Sequence, residues 1–146
     1  MTCKEIMTSN PRICTTTATA QSAAELMREE NVGSIPVVDE TSKQLVGVVT
    51  DRDLCLAIIA AGKSSHDVLV SDVMSKDLVT CKPEEDIRIC EERMQARQIR
   101  RIPVVDGKGR CIGIISQGDL AMKLSRPEEV HQTVREISKP GRSKAA

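Results

Sequence analysis

Two short stretches carry the side chains best suited to chemistry, Thr50-Asp51-Arg52-Asp53 and Ser116-Gln117-Gly118-Asp119. In each, a hydroxyl residue is followed three positions later by an aspartate, just ahead of an apolar run. A helix capping box fits that spacing: the hydroxyl satisfies a first-turn amide and the carboxylate reaches back to the cap residue. A nucleotide site fits it too, because an exposed helix start has unpaired amides that attract phosphate, while a nearby carboxylate can accept hydrogen bonds from ribose hydroxyls. The two readings are compatible, and the spacing alone leaves both open. Catalysis has less support. Acid-base and nucleophilic chemistry need partnered groups in one pocket, and the two motif aspartates lie in different halves of the chain.

Metal ligation is also weak, since His66 and His131 are far apart in sequence and no two cysteines form a Cys-x-x-Cys pair. The six cysteines, Cys3, Cys14, Cys55, Cys81, Cys90 and Cys111, read as buried free thiols that pack as small hydrophobes. Cys14 and Cys81 fall at equivalent strand positions, which favours packing over redox sensing.

The elements that must position the motifs follow from periodicity. Asn10-Pro11 marks a turn, and 12–16 reads as a short strand. Ala20, Ala23, Ala24 and Met27 share one helical face, with Asn31 and Gly33 as the stop. The runs 35–38 and 44–49, joined by a polar turn, predict a hairpin. Thr50 then opens a helix in which Leu54, Ala57, Ile58 and Ala61 share a face, closed at 62–65. The order recurs: 78–81 as strand, Pro83 and acidic residues entering a helix with Ile87, Cys90 and Met94 inward, and 102–105 with 110–115 as a hairpin. A closing helix begins at Asp119, and Pro127 starts another through Ile137.

The chain therefore repeats itself. Ile35-Pro36-Val37-Val38-Asp39 returns at Ile102 to Asp106, Met7-Thr8 returns as Met74-Ser75, and Gly47 to Leu54 returns at Gly113 to Leu120. The first two offsets are equal and the third is one shorter, so one residue has been lost between the strands of the second copy. Two copies cannot stack as a solenoid and must bury their faces as a pseudo-symmetric pair. At 146 residues, each copy would be marginal alone. Equal numbers of acidic and basic side chains, 21 each, give no global field toward nucleic acid or anionic membrane. The absence of Phe, Tyr and Trp removes the stacking on which single-strand binding depends. No recognisable DNA-reading motif appears. With no apolar run long enough to span a bilayer and no signal segment, a soluble, cytoplasmic protein is expected.

The paired Met/Ile-Pro-Val-Val-Asp/Gly-(apolar)2-(Ser or Thr)-x-x-Asp pattern resembles the CBS domain, and the tandem resembles a CBS pair, or Bateman module. The resemblance covers about Lys4 to Leu124. It implies an α/β (α+β) fold of two β-α-β-β-α repeats, at 4–62 and 71–124, with a linker at 63–70. A helix at 125–138 and a disordered tail at 139–146 would follow. It further implies a non-catalytic regulatory module, often a homodimer acting on an unidentified partner protein. Adenosine-containing ligands, with AMP, ADP or ATP foremost, would occupy clefts between the repeats, and no cofactor would be required.

Carried onto this sequence, Asp53 and Asp119 would hold the ribose, with Thr50 and Ser116 assisting. Ser34-Ile35 and Arg101-Ile102 would line the base and phosphate region with Ile13 and Thr80, the base lying between Ile35, Ile102 and their neighbours. Arg52 and Arg101 would contact phosphate, for which guanidinium is well suited. So few cations favour a mono- or diphosphate over a longer chain. The competing reading is a dimerisation scaffold with empty clefts, contacting partners through exposed helix faces and the 127–137 segment.

Overall fold

The computed structural model describes residues 1–140 and divides into two compact units. The first unit is Pro11–Leu78; the second joins Met1–Asn10 to the chain from Val79 onward. The boundaries expected from the repeats group these residues differently, because each repeat's lead-in folds with the other repeat's sheet. Helix α1 (Cys3–Ile6) and strand β1 (Thr8–Ser9) form the N-terminal lead-in. Thr8 pairs with Ile114 and Ser9 with Gly113, and Cys3 and Ile6 are fully buried in the second unit's core.

The first unit holds β2 (Cys14–Thr15), α2 (Ala20–Glu30), β3 (Ser34–Val38) and β4 (Leu45–Thr50), followed by α3 (Asp51–Leu54) and α4 (Val70–Val73). Strand β2 runs parallel to β3, and β3 pairs antiparallel with β4. Thr19 caps α2 by accepting from the Ser22 amide at 3.1 Å, and Asn31 closes it in the left-handed region at φ 53°. Ala20, Ala23 and Met27 face the core as expected, but Ala24 is exposed. The buried arc is rotated toward Leu26, which is partly buried. Beyond α3 the helix does not continue as an amphipathic α-helix: Cys55–Ile59 is a π-helical turn with no buried residue. The segment expected as a linker is fastened along α2, with Gln21 N donating to Ser65 O at 3.0 Å and Ala20 N to Val68 O at 2.8 Å.

In the second unit no regular strand forms at 78–81. Cys81 makes an isolated bridge to Val104, its N donating to Pro103 O at 3.0 Å and its O accepting from Val105 N at 2.9 Å. Helix α5 (Ile87–Arg97) starts later than Pro83 suggests, since Asp86 is the residue that caps it. Strands β5 (Arg101–Val105) and β6 (Cys111–Ser116), α6 (Gln117–Lys123) and α7 (Pro127–Ile137) complete the unit, in sheet order β1-β6-β5. Helix α7 is held on α5 by Gln95 Nε2 donating to Thr133 Oγ1 at 2.8 Å and by the Arg126–Glu91 pair at 2.8 Å. Apart from Lys139 and Pro140, the expected disordered tail lies outside the described residues.

The recurrence of methionine and glycine now has a cause. A Cβ on Gly47 would meet Met74 Sδ at 2.5 Å and Ser75 O at 2.9 Å, and one on Gly113 would collide with Met7. Each lead-in methionine therefore lies on a glycine of the strand that precedes a motif. The residue missing from the second hairpin is missing from its turn: Asp39 N donates to Gln44 O, whereas Asp106 N reaches Arg110 O, both at 2.9 Å. The tighter turn takes Gly109 through φ 78°.

Candidate functional site

Strand pairing brings part of each expected set together. In the first unit Ser34 lies opposite Thr50, so Ser34, Thr50, Arg52 and Asp53 gather where β4 runs into α3. In the second, Arg101 lies opposite Ser116, beside Asp119 where β6 runs into α6. Ile13 is exposed just ahead of β2. Thr80 is half-buried, and its carbonyl accepts from Arg93 Nη1 at 2.8 Å.

Ile35 and Ile102 need correction. They are 1% and 0% exposed and belong to the two hydrophobic cores. Alternation along β3 turns Ile35 inward with Val37 and Val49, so its side chain packs the core and cannot sandwich a base. Ile102 does the same beside Val104 and Ile115.

Both motifs form complete capping boxes. Asp53 N donates to Thr50 Oγ1 at 3.1 Å, and Thr50 N donates to Asp53 Oδ2 at 3.0 Å. Ser116 Oγ accepts from Asp119 N at 3.1 Å, while Ser116 N and Oγ both donate to Asp119 Oδ2 at 2.8 Å. The remaining amides of α3 are taken too, Asp51 N by Gly33 O at 3.0 Å and Arg52 N by the Asp51 carboxylate at 2.8 Å. The idea of free first-turn amides waiting for phosphate is thus corrected at α3. Any phosphate there falls to side-chain cations. Neither Arg52 nor Arg101 forms an ion pair among the described residues.

The two carboxylates differ in their surroundings. Asp119 Oδ1 faces Lys123 Nζ at 3.0 Å and accepts from Thr8 Oγ1 at 3.3 Å. Burial alone would raise its pKa, but the Ser116 amide, the Lys123 ammonium and the Ser116 hydroxyl outweigh burial and hold it below the ordinary aspartate value. Lys123 is one turn along α6, an i,i+4 spacing that the sequence displays. Thr8 had no local signal, because its contact depends on where the lead-in folds.

Family comparison bears on both repeats. The model of the CBS domain matches residues 3–60 and 70–126. The chain belongs to the CBS domain family. The CBS domain-containing protein YhcV of Bacillus subtilis (strain 168) is 37% identical over 135 residues, 92% of this chain and 94% of that one. Among solved structures, the CBS domain pair of protein MJ0100, in complex with 5′-methylthioadenosine and S-adenosyl-L-methionine, superposes with TM-score 0.73 at 26% identity, covering 83% of this chain and 93% of that one. The conserved CBS domain protein TA0289 of Thermoplasma acidophilum gives TM-score 0.78 at 26% identity, over 92% of this chain and 76% of that one. The fold is the tandem CBS repeat, and a CBS pair is a regulatory module.

Elsewhere in this CBS pair the polar groups serve other ends. All six cysteines are free. Cys3, Cys81 and Cys90 meet in the second unit's core, Cys14 and Cys111 are half-buried, and Cys55, against the buried-thiol expectation, is exposed on the π-helical turn. Cys81 is the most acidic of the three clustered thiols, favoured by hydrogen bonds from Cys3 and Cys90 and by Arg93 Nη1 at 3.3 Å. Among the described residues no group of three or more His, Cys, Asp or Glu is placed to hold a metal ion, and no helix is long and apolar enough to cross a membrane. A groove of about 460 Å³ between α5 and α7 is lined by Glu91, Glu92, Glu128 and Glu129 and includes no motif residue. Arg88 lines it as well, but the four carboxylates outnumber that cation and disfavour phosphate.

Proposed function

We propose that this CBS pair is a non-catalytic, cytoplasmic sensor of an adenosine-containing ligand, with AMP, ADP or ATP as the leading candidates. The observation that carries the reading is Asp53: its carboxylate is fixed by one capping bond through Oδ2, and Oδ1 has no hydrogen bond among the described residues. A ribose diol needs an anchored acceptor of this kind. Thr50 and Ser34 flank that carboxylate, and Arg52 supplies a cation for phosphate. Thr80, Arg101, Ser116 and Asp119 occupy the positions in the second repeat that match Ile13, Ser34, Thr50 and Asp53, and Ile13, 42% exposed just ahead of β2, is an aliphatic side chain open to a base. The adenosine compounds held by the CBS pair of MJ0100 support the ligand class. No cofactor is needed for this role.

A second copy of the chain is the proposed first partner, and a regulated protein the next. Leu56 and Met122 stand at matching positions of the two repeats and are 51% and 86% exposed; this supports association through those helices. Calorimetric titration with AMP, ADP, ATP and S-adenosylmethionine tests the ligand reading. Saturable binding of an adenine nucleotide, with ATP weaker than AMP or ADP because cations are few, is expected. No binding of any of the four at millimolar concentration would leave the scaffold reading, in which the motifs only cap helices.

A further inference from the structure

We infer that the two motifs are not interchangeable: the Asp53 motif takes the adenosine ligand, while Lys123 and Thr8 keep the Asp119 motif closed to it. This rests on the ribose-binding reading above and adds which motif works and what silences the other. An ionised carboxylate offers about four acceptor positions. At Asp119 all of them are used, by Ser116 N, Ser116 Oγ, Thr8 Oγ1 and Lys123 Nζ. A ribose diol approaching with two hydroxyl donors meets no unused lone pair. Lys123, though 40% exposed, is held at a second point, because its ammonium also donates to Ile6 O at 2.8 Å. Displacing it would leave a carboxylate that is only 15% exposed without its counter-charge, and a backbone carbonyl without its donor.

Asp53 differs at each of these points. Thr50 supplies a single donor, its backbone amide, while the Thr50 hydroxyl accepts. Four residues on, in the π-helical turn, stands Ala57, which has no side-chain donor, where the second repeat has Lys123. Ser75, at the position matching Thr8, exchanges backbone bonds with Val48 at 2.9 and 3.1 Å and makes no bond to Asp53 among the described residues. The same capping box therefore presents a receptive carboxylate in one repeat and a saturated one in the other. Lys123 acts as a built-in counter-ion standing in the ligand's place.

Equilibrium dialysis of the full chain against AMP, ATP and S-adenosylmethionine, each alone, counts the sites. The wild type is expected to hold about one ligand per chain, and Asp53→Ala to hold none, because the remaining carboxylate has no free acceptor. Lys123→Met keeps the aliphatic stem and removes the ammonium; it should raise the count to about two, and Asp53→Ala combined with Lys123→Met should restore about one. Two ligands on the wild type, or one that survives Asp53→Ala, overturns the inference and leaves the ribose reading standing. A count that stays at one in Lys123→Met removes Lys123 from its assigned role. If that variant fails to fold, the Asp53→Ala arm still decides which motif binds. Binding of no probe by wild type or Lys123→Met overturns the ribose reading itself.

Discussion

The Asp119 carboxylate does its structural work through hydrogen bonds from Ser116, and those bonds respond to pH. Asp119, Asp39, Asp106 and Glu85 all titrate below their ordinary values. For Glu85 the chief cause is Arg93, whose guanidinium grips both carboxylate oxygens at 2.8 and 2.9 Å. For Asp39 and Asp106 it is the turn amides, of Ser42 and Arg110 respectively. A carboxylate whose folded pKa is depressed adds stability above its unfolded value and loses it as pH falls through the folded one. Urea midpoints should therefore hold steady above about pH 5 and decline below about pH 4. The decline should be shallower in Asp119→Asn; an unchanged slope would show that the Asp119 bonds are not formed in solution. Ser116→Ala removes a hydroxyl that both caps α6 and donates to Asp119, with an expected loss of about 1 kcal/mol.

Helices and strands explain why some of this was readable and some was not. The hairpins, α2, α5 and α7 announce themselves through alternation, helical periodicity and capping residues, all local properties of the chain. The capping boxes were legible for the same reason. The inward facing of Ile35 and Ile102 is not legible locally, because proximity to a motif along the chain says nothing about which face of a strand a residue occupies; the sheet's register decides that. The π-helical turn at Cys55–Ile59 and the single bridge at Cys81 depend on surroundings that no local pattern encodes. The methionine and glycine repeats were visible, but their contact was not, since Met7 meets Gly113 across most of the sequence. From that contact, Gly47→Ala should destabilise by about 1–3 kcal/mol. Gly113→Ala should cost less. At Gly47 the obstacle includes the Ser75 carbonyl, backbone pinned by its bonds to Val48, whereas at Gly113 it is a flexible methionine side chain. Thermal denaturation of the two variants checks the ranking, and the reverse order would contradict it.

Across the whole molecule, the chain is a tandem repeat whose lead-ins are exchanged. The first ten residues complete the second unit by adding β1 to its sheet and Cys3 and Ile6 to its core. Ile6→Ala should cost about 2–5 kcal/mol, and hydrogen exchange should show the loss of protection concentrated in β5, β6 and α5. Protection lost first in β3 and β4 would mean that the lead-in folds with its own repeat. That exchange also places Thr8 against Asp119 and so makes two similar motifs chemically unequal. The most direct test of ligand sensing uses the absence of Trp and Tyr, which leaves adenine as the dominant near-ultraviolet chromophore. Purified wild-type protein dialysed against AMP and then separated from free nucleotide should retain adenine absorbance, and folded Asp53→Ala should not. Equal absorbance in the two, or none in the wild type at millimolar AMP and the same with ATP and S-adenosylmethionine, would contradict the assignment of Asp53 as the residue that holds the ligand.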